Sequence, residues 1–228
     1  MNGVAVGTGP GWFGKLSCLG DFAHRRLSPQ WVRGCDDWLS RCMQHTQAQR
    51  GNAWLPAYLA APVWRFVWGP QVADAQWWFG LLMPSCDSVG RYFPLVVAQP
   101  RLQPPDDRFG FAHLELWWQH LAQAALATLH DGATVEAFEV ALAEAPPWPG
   151  APSAALKAQH ASGVHRWQVP VGAAVVDLAH ALAADALRER LQGQTLWWPW
   201  RPDDRPDPCT LVQGLPTPTL FNEMLGAA

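Results

Sequence analysis

The sequence predicts an α/β fold, a three-layer sandwich whose mostly antiparallel central sheet carries helices on both faces. Two observations lead there. In the run WWFGLLM (77–83), Trp77, Phe79, Leu81 and Met83 alternate with Trp78 and Leu82, so a strand built from it is apolar on both sides and needs cover above and below. A second apolar run, YFPLVVA (92–98), follows after a short polar interval, and that hairpin-like spacing makes the pair antiparallel.

The remaining elements follow in chain order. Residues 12–16 read as a short strand. Ser28-Pro29 then supplies an N-cap and a first-turn proline for a helix to about Arg50, closed by Gly51. Its residues Trp31, Cys35, Trp38, Leu39, Cys42 and Met43 share one face, the spacing of a helix that packs against other elements. VWRFVW (63–68) is a third strand beside the two already described. Asp106-Asp107 caps a long helix to about Leu129, with Leu114, Trp118, Leu121 and Ala125 on one stripe, and Thr134 caps a shorter one. APPWPGAPS (145–153) reads as an internal linker, because its prolines and glycine oppose regular structure. Beyond it come a strand-like VHRWQV, a helix from about Asp177 to Leu191, the run TLWW, and a terminal helix opened by Thr217-Pro218. PWRPDDRPDP (199–208) reads as a surface loop. The part after the linker is too small to hold a large core of its own, so residues 1–228 are expected to form a single domain.

Composition excludes several functions. The formal net charge is −3, which leaves no basic excess for nucleic acid. The N-terminal MNGVAVGTGPGWFG lacks the features of a signal peptide, and the apolar stretches are too short or too charged to insert into a membrane, so a cytoplasmic protein is expected. Five cysteines without a C-x-x-C pair fit neither a disulfide framework nor a zinc ribbon and are expected to be mostly reduced core residues. Fifteen tryptophans exceed ordinary usage, and some are expected to lie half exposed, either marking an interface or serving simply as core filler.

Chemical motifs are weak. GPGWFG (9–14) has the G-x-G-x-x-G spacing, but Pro10, Trp12 and Phe13 fill it and the segment after it heads into a turn, so no cofactor is expected. His113 and His120 lie seven residues apart on one helix, ~10 Å along its axis, too far to share a metal ion. The polar loop MPSCDSVGRYFPL (83–95) contains the candidate nucleophiles Ser85 and Cys86, yet no local base or oxyanion donor accompanies them. Asp87 has a structural task there. Its carboxylate can accept N–H groups two residues on, Gly90 can take a positive φ, and Arg91 can bridge back to the acid. Arg65 falls on the valine face of its strand and needs an acid, for which Asp87 or Asp21 is expected. If Arg65 and Arg91 are buried partners of acids, Arg→Leu at either position costs roughly 3–5 kcal/mol.

Four blocks, GWFGKLSCLGDF (11–22), WLPAYLAAPVWRF (54–66), LMPSCDSVGRYFPL (82–95) and TLWWPW with GLPTPTLFNEML (195–225), stand in the order and spacing of the TagF family, also called ImpM. The chain resembles these accessory proteins of bacterial type VI secretion over nearly its whole length. The resemblance implies a non-enzymatic, post-translational repressor of secretion-system assembly that acts on a cytoplasmic forkhead-associated scaffold protein. The alternative is a hydrolase or transferase using Cys86 or Ser85. No residue is assigned a catalytic or metal-binding role. Asp21, Trp64, Arg65, Ser85, Asp87, Gly90 and Arg91 are the candidates for loop structure or partner contact. Trp200 and Arg201, in the proline-bound segment, are further candidates for partner contact.

Overall fold

The computed structural model describes residues 9–105, 107–147, 158–161, 164–167, 171–172, 174–200 and 208–226. Strands β1 (Gly11–Gly14) and β2 (Ala23–Arg25) precede the long helix α1 (Pro29–Arg50). A single 3-10 turn leads into α2 (Trp54–Ala60), followed by β3 (Val63–Trp68), β4 (Trp77–Met83) and β5 (Leu95–Arg101). Helices α3 (Arg108–Ala127) and α4 (Val135–Ala143) come next, then the hairpin β6 (Ala158–Ala161) and β7 (Val164–Trp167). The chain continues through α5 (Val175–Arg190), β8 (Gln194–Trp200), β9 (Thr210–Gln213) and α6 (Pro218–Leu225).

Seven strands form one sheet in the order β2-β1-β5-β4-β3-β8-β9, with every pairing antiparallel. The expected hairpin is present as β4 against β5, with Met83 opposite Leu95. Strand β8 lies along β3, with Val63 opposite Trp200, so the segment after the candidate linker extends the same sheet. Residues 148–153 of that linker lie outside the described residues.

Capping chemistry sets the helix ends. The hydroxyl of Ser28 accepts the N–H of Trp31 at the start of α1, Asp107 accepts that of Gly110 at α3, and Thr134 and Thr217 do the same for α4 and α6. Three expected boundaries shift. Strand β1 stops at Gly14, whose φ of +134° bends the chain out of the sheet. Strand β5 begins at Leu95 rather than Tyr92, because Pro94 has no N–H for the ladder and Phe93 bonds instead to the carbonyl of Ser85. Pro199 and Trp200, expected in a surface loop, are the last residues of β8.

Alternation in β4 sends its side chains to two cores. Trp78 and Leu82 join Trp64, Phe66, Trp68 and Trp197 under α1, α2 and α6. Trp77, Phe79, Leu81 and Met83 join Trp12, Val63 and Val67 under α3 and α4. Eleven of the thirteen tryptophans whose side chains are described are buried, and the other two, Trp198 and Trp200, are half-buried. Trp198 and Trp200 thus show the expected partial exposure, while the other described indoles take the core-filler role in a double core, where each Å² of apolar area removed from water contributes roughly 25 cal/mol. Trp31 stacks between Trp68 and Trp78, and Trp38 meets Trp68, Trp197 and Phe221. Of the cysteines, only Cys35 and Cys42 are buried; Cys18 and Cys86 are half-buried and Cys209 is exposed. Burial pushes the Cys42 thiol up to about 12 and raises that of Cys35 further, which keeps both protonated and unreactive.

Candidate functional site at the end of the sheet

Strands β1 and β4 flank β5, and both ladders reach Leu95, with Gly14 and Met83 as its opposite partners. The segments leaving β1 and β4 therefore emerge side by side. Gly14 is required at this point, since a Cβ there would stand 2.1 Å from the carbonyl oxygen of Pro94. The turn it makes puts Lys15, a buried residue, beside the 84–94 loop.

The centre of the site is the Asp87 carboxylate, which is fully enclosed. One oxygen, Oδ2, receives Lys15 Nζ at 2.6 Å and Arg91 Nε at 2.7 Å. The other, Oδ1, accepts the N–H of Val89 at 3.1 Å and that of Arg91 at 2.8 Å. Gly90 closes this loop with φ +80° and nothing near the place a Cβ would occupy. Burial by itself would raise the Asp87 carboxyl. The hydrogen bonds from Lys15, from the backbone and side chain of Arg91 and from Val89 outweigh it and hold the group well below the usual carboxylate range.

The loop is tied to its neighbours by further bonds. Ser88 N–H donates to Leu19 O at 2.8 Å, and Arg91 Nη2 donates to Gly20 O. Ser85 Oγ donates to the backbone carbonyl of Lys15 at 2.8 Å. Tyr58 OH accepts from Ser85 N–H and donates to Ser85 O, and burial raises its pKa. Buried and already bonded to a carbonyl, the Ser85 hydroxyl is hydrogen-bonded to no described basic side chain. Cys86 sits half-buried with its backbone bridged to Tyr92.

Other candidates lie elsewhere. Arg65 does sit on the Val63 and Val67 face, but its partner is neither Asp87 nor Asp21. Its Nη1 meets Glu115 Oε1 of α3 at 2.7 Å, and its guanidinium lies 5.3 Å over Trp198. The strand's alternation pointed Arg65 toward α3, a helix whose register against the sheet no local pattern reveals. Asp21 is exposed and accepts the N–H of Phe22. Trp64 is a core residue under α2 and α6. Trp200 is half-buried and packs against the α3 side of the core, which removes it from the expected exposed loop; Arg201 lies outside the described residues. The site thus unites Ser85, Asp87, Gly90 and Arg91 from the candidate set and excludes Trp64, Arg65 and Trp200.

Two members were missed in the sequence, Lys15 and Tyr58. A lysine directly after a strand normally reads as a solvated end. The available signal was the flanking sequence, Gly14 before it and apolar Leu16 after it.

Residues 11–145 match the TagF N-terminal domain, described as type VI secretion system-associated. The chain belongs to the TagF family. The matched span contains Lys15, Tyr58, Ser85, Asp87 and Arg91, so the whole cluster falls within the family domain. A crystal structure of PA0076 from Pseudomonas aeruginosa PAO1 is similar, at a TM-score of 0.75 and 33% identity, covering 96% of this chain and 94% of that one. No curated protein matches the chain. This TagF-family chain is type VI secretion system-associated, and among its described residues no helix is long and apolar enough to cross a membrane.

Proposed function

We propose that this TagF-family protein is a non-enzymatic, cytoplasmic, post-translational repressor of type VI secretion assembly, acting by binding the system's forkhead-associated scaffold protein. The observation that carries the reading is the state of the Asp87 loop. Its acid is spent on Lys15 and Arg91 and its serine on the backbone carbonyl of Lys15, as in a scaffold for presenting side chains. A nucleophile would instead need a base poised to take its proton. Membership of a secretion-associated family supplies the biological setting.

The test is capture of the scaffold protein by tagged full-length chain from cells carrying the secretion cluster, paired with a secretion assay of Cys86→Ala. Recovery of the scaffold and unchanged repression by the variant are expected. Lost repression by a folded, scaffold-binding Cys86→Ala protein would restore the hydrolase or transferase reading.

A further inference from the structure

The Asp87 network holds three exposed side chains in place. Phe22 is 46% exposed and Val89 68%, and the Arg91 side chain is 58% exposed. Each is tied to the same buried carboxylate. Val89 is fixed through its N–H, and Arg91 through both its N–H and its Nε. Phe22 is fixed less directly: Lys15 Nζ, bonded to Asp87, sits 4.9 Å from its ring centre, and the ring packs edge-on against Phe93 at 4.8 Å. The bonds from Ser88 to Leu19 and from Arg91 to Gly20 lock the two loops into one surface.

Of the five N–H donors of a guanidinium, Arg91 uses one on Asp87 and one on Gly20. Among the described residues the other three have no partner and are open to solvent or to a docking protein. Lys15 and Arg91 share the one enclosed carboxylate, so the three groups carry one net positive charge, and Arg91 is the cation of the two that faces solvent. Asp21, next to Phe22, is exposed and accepts the N–H of Phe22. Pre-ordered aromatic and arginine side chains are the groups in which interfaces concentrate binding energy, because little conformational freedom is lost on docking. Of the exposed apolar side chains elsewhere, several lie on single helices: Leu116 on α3, Leu182 on α5, and Phe109 on the first turn of α3 with the Arg108 guanidinium 4.8 Å from its ring centre.

We infer that the Phe22–Val89–Arg91 surface is where the partner docks, and that it receives a segment of the scaffold protein carrying an apolar side chain beside a carboxylate. The apolar group covers Phe22 and Val89, and the carboxylate takes the free donors of Arg91, a charge-assisted contact with bidentate geometry available. This assignment rests on the proposed scaffold-binding function.

The experiment is calorimetric titration of purified scaffold protein into the wild-type chain, Val89→Asp, Arg91→Gln and the control Val140→Asp, an exposed position on α4. Val89→Asp alters a solvent-facing side chain, leaves its bonded backbone N–H in place and sets a carboxylate against the incoming one. Its affinity should fall more than tenfold, while the control stays within twofold. Wild-type affinity should weaken as salt is raised, and that dependence should diminish in Arg91→Gln. Wild-type affinity in Val89→Asp, or equal losses in Val89→Asp and the control, overturns the surface while leaving scaffold binding intact. No binding by the wild-type chain overturns the proposed function, and this assignment with it.

Discussion

Two ion pairs in this protein are built in opposite senses. At the sheet end the acid is enclosed and an arginine faces water: the Asp87 side chain is 0% exposed and that of Arg91 58%. Under α3 the arginine is enclosed and the acid faces water: Arg65 is 13% exposed and Glu115 46%. Asp87 also has a second cation, Lys15, and two backbone donors, whereas the Arg65 Nε is buried without a partner among the described residues. The contrast teaches that the weight of an ion pair depends on which charge would be stranded in the interior when its partner is removed. Removing Asp87 strands Lys15 and frees the loop. Removing Arg65 leaves Glu115 to water.

The largest expected effect is therefore at Asp87. Asp87→Ala removes the hydrogen-bond acceptor of the buried Lys15 ammonium and the acceptor of the Val89 and Arg91 N–H groups. We expect Tm to fall by roughly 10 °C or more, followed by circular dichroism at neutral pH. A drop no larger than that of Arg65→Leu would break the comparison.

The second effect sharpens it through pH. The folded-state pKa of Asp87 lies below its ordinary value of 3.8, so the stabilisation is fully present above that value. It is lost as pH falls through the window between the ordinary value and the lower folded one. Asp87→Asn lacks this titration. The stability gap between wild type and Asp87→Asn should stay constant from pH 7 to about pH 5 and narrow below pH 4, read from urea midpoints. A gap that stays constant down to pH 2 would show that the carboxylate is not the stabilised form.

Much of the fold was legible because its signals are local. Ser28-Pro29 and Gly51 bracket α1 as a cap, a first-turn proline and a terminating glycine should, and the two-sided apolar pattern of β4 implies a covered sheet. The short edge strands β2 and β9 left no such mark: three and four residues, none fully buried, show no periodicity to read. The candidate site divides in the same way. The Asp87–Gly90–Arg91 turn is contained in five residues and could be argued from turn chemistry alone. Lys15 lies 72 residues from Asp87, and Tyr58 lies 27 from Ser85, so both contacts exist only once β1, β5 and β4 are side by side and α2 packs over their ends. Tryptophan count left two readings open for a related reason: composition alone cannot show which indoles fill the two faces of the sheet and which stay half exposed.

The smallest expected effect is at Arg65, and it corrects the equal cost assigned to both arginines from sequence. Arg65→Leu gives up a pair with a half-exposed glutamate, worth about 1 kcal/mol or less because Glu115 regains hydration. It also gives up the contact of the guanidinium with the Trp198 ring, worth about 0.5–1 kcal/mol. Against these losses, leucine places an apolar group on the face shared with Val63 and Val67 and removes the unpartnered Nε donor. The terms offset to within about 1 kcal/mol, so Tm should move by no more than about 4 °C. The double variant Arg65→Leu/Glu115→Leu should match the single one, since the freed glutamate bears no remaining penalty. If Arg65→Leu instead melts as low as Asp87→Ala and the second substitution rescues it, Glu115 is held in a drier setting than its exposure indicates, and the two pairs are equivalent after all.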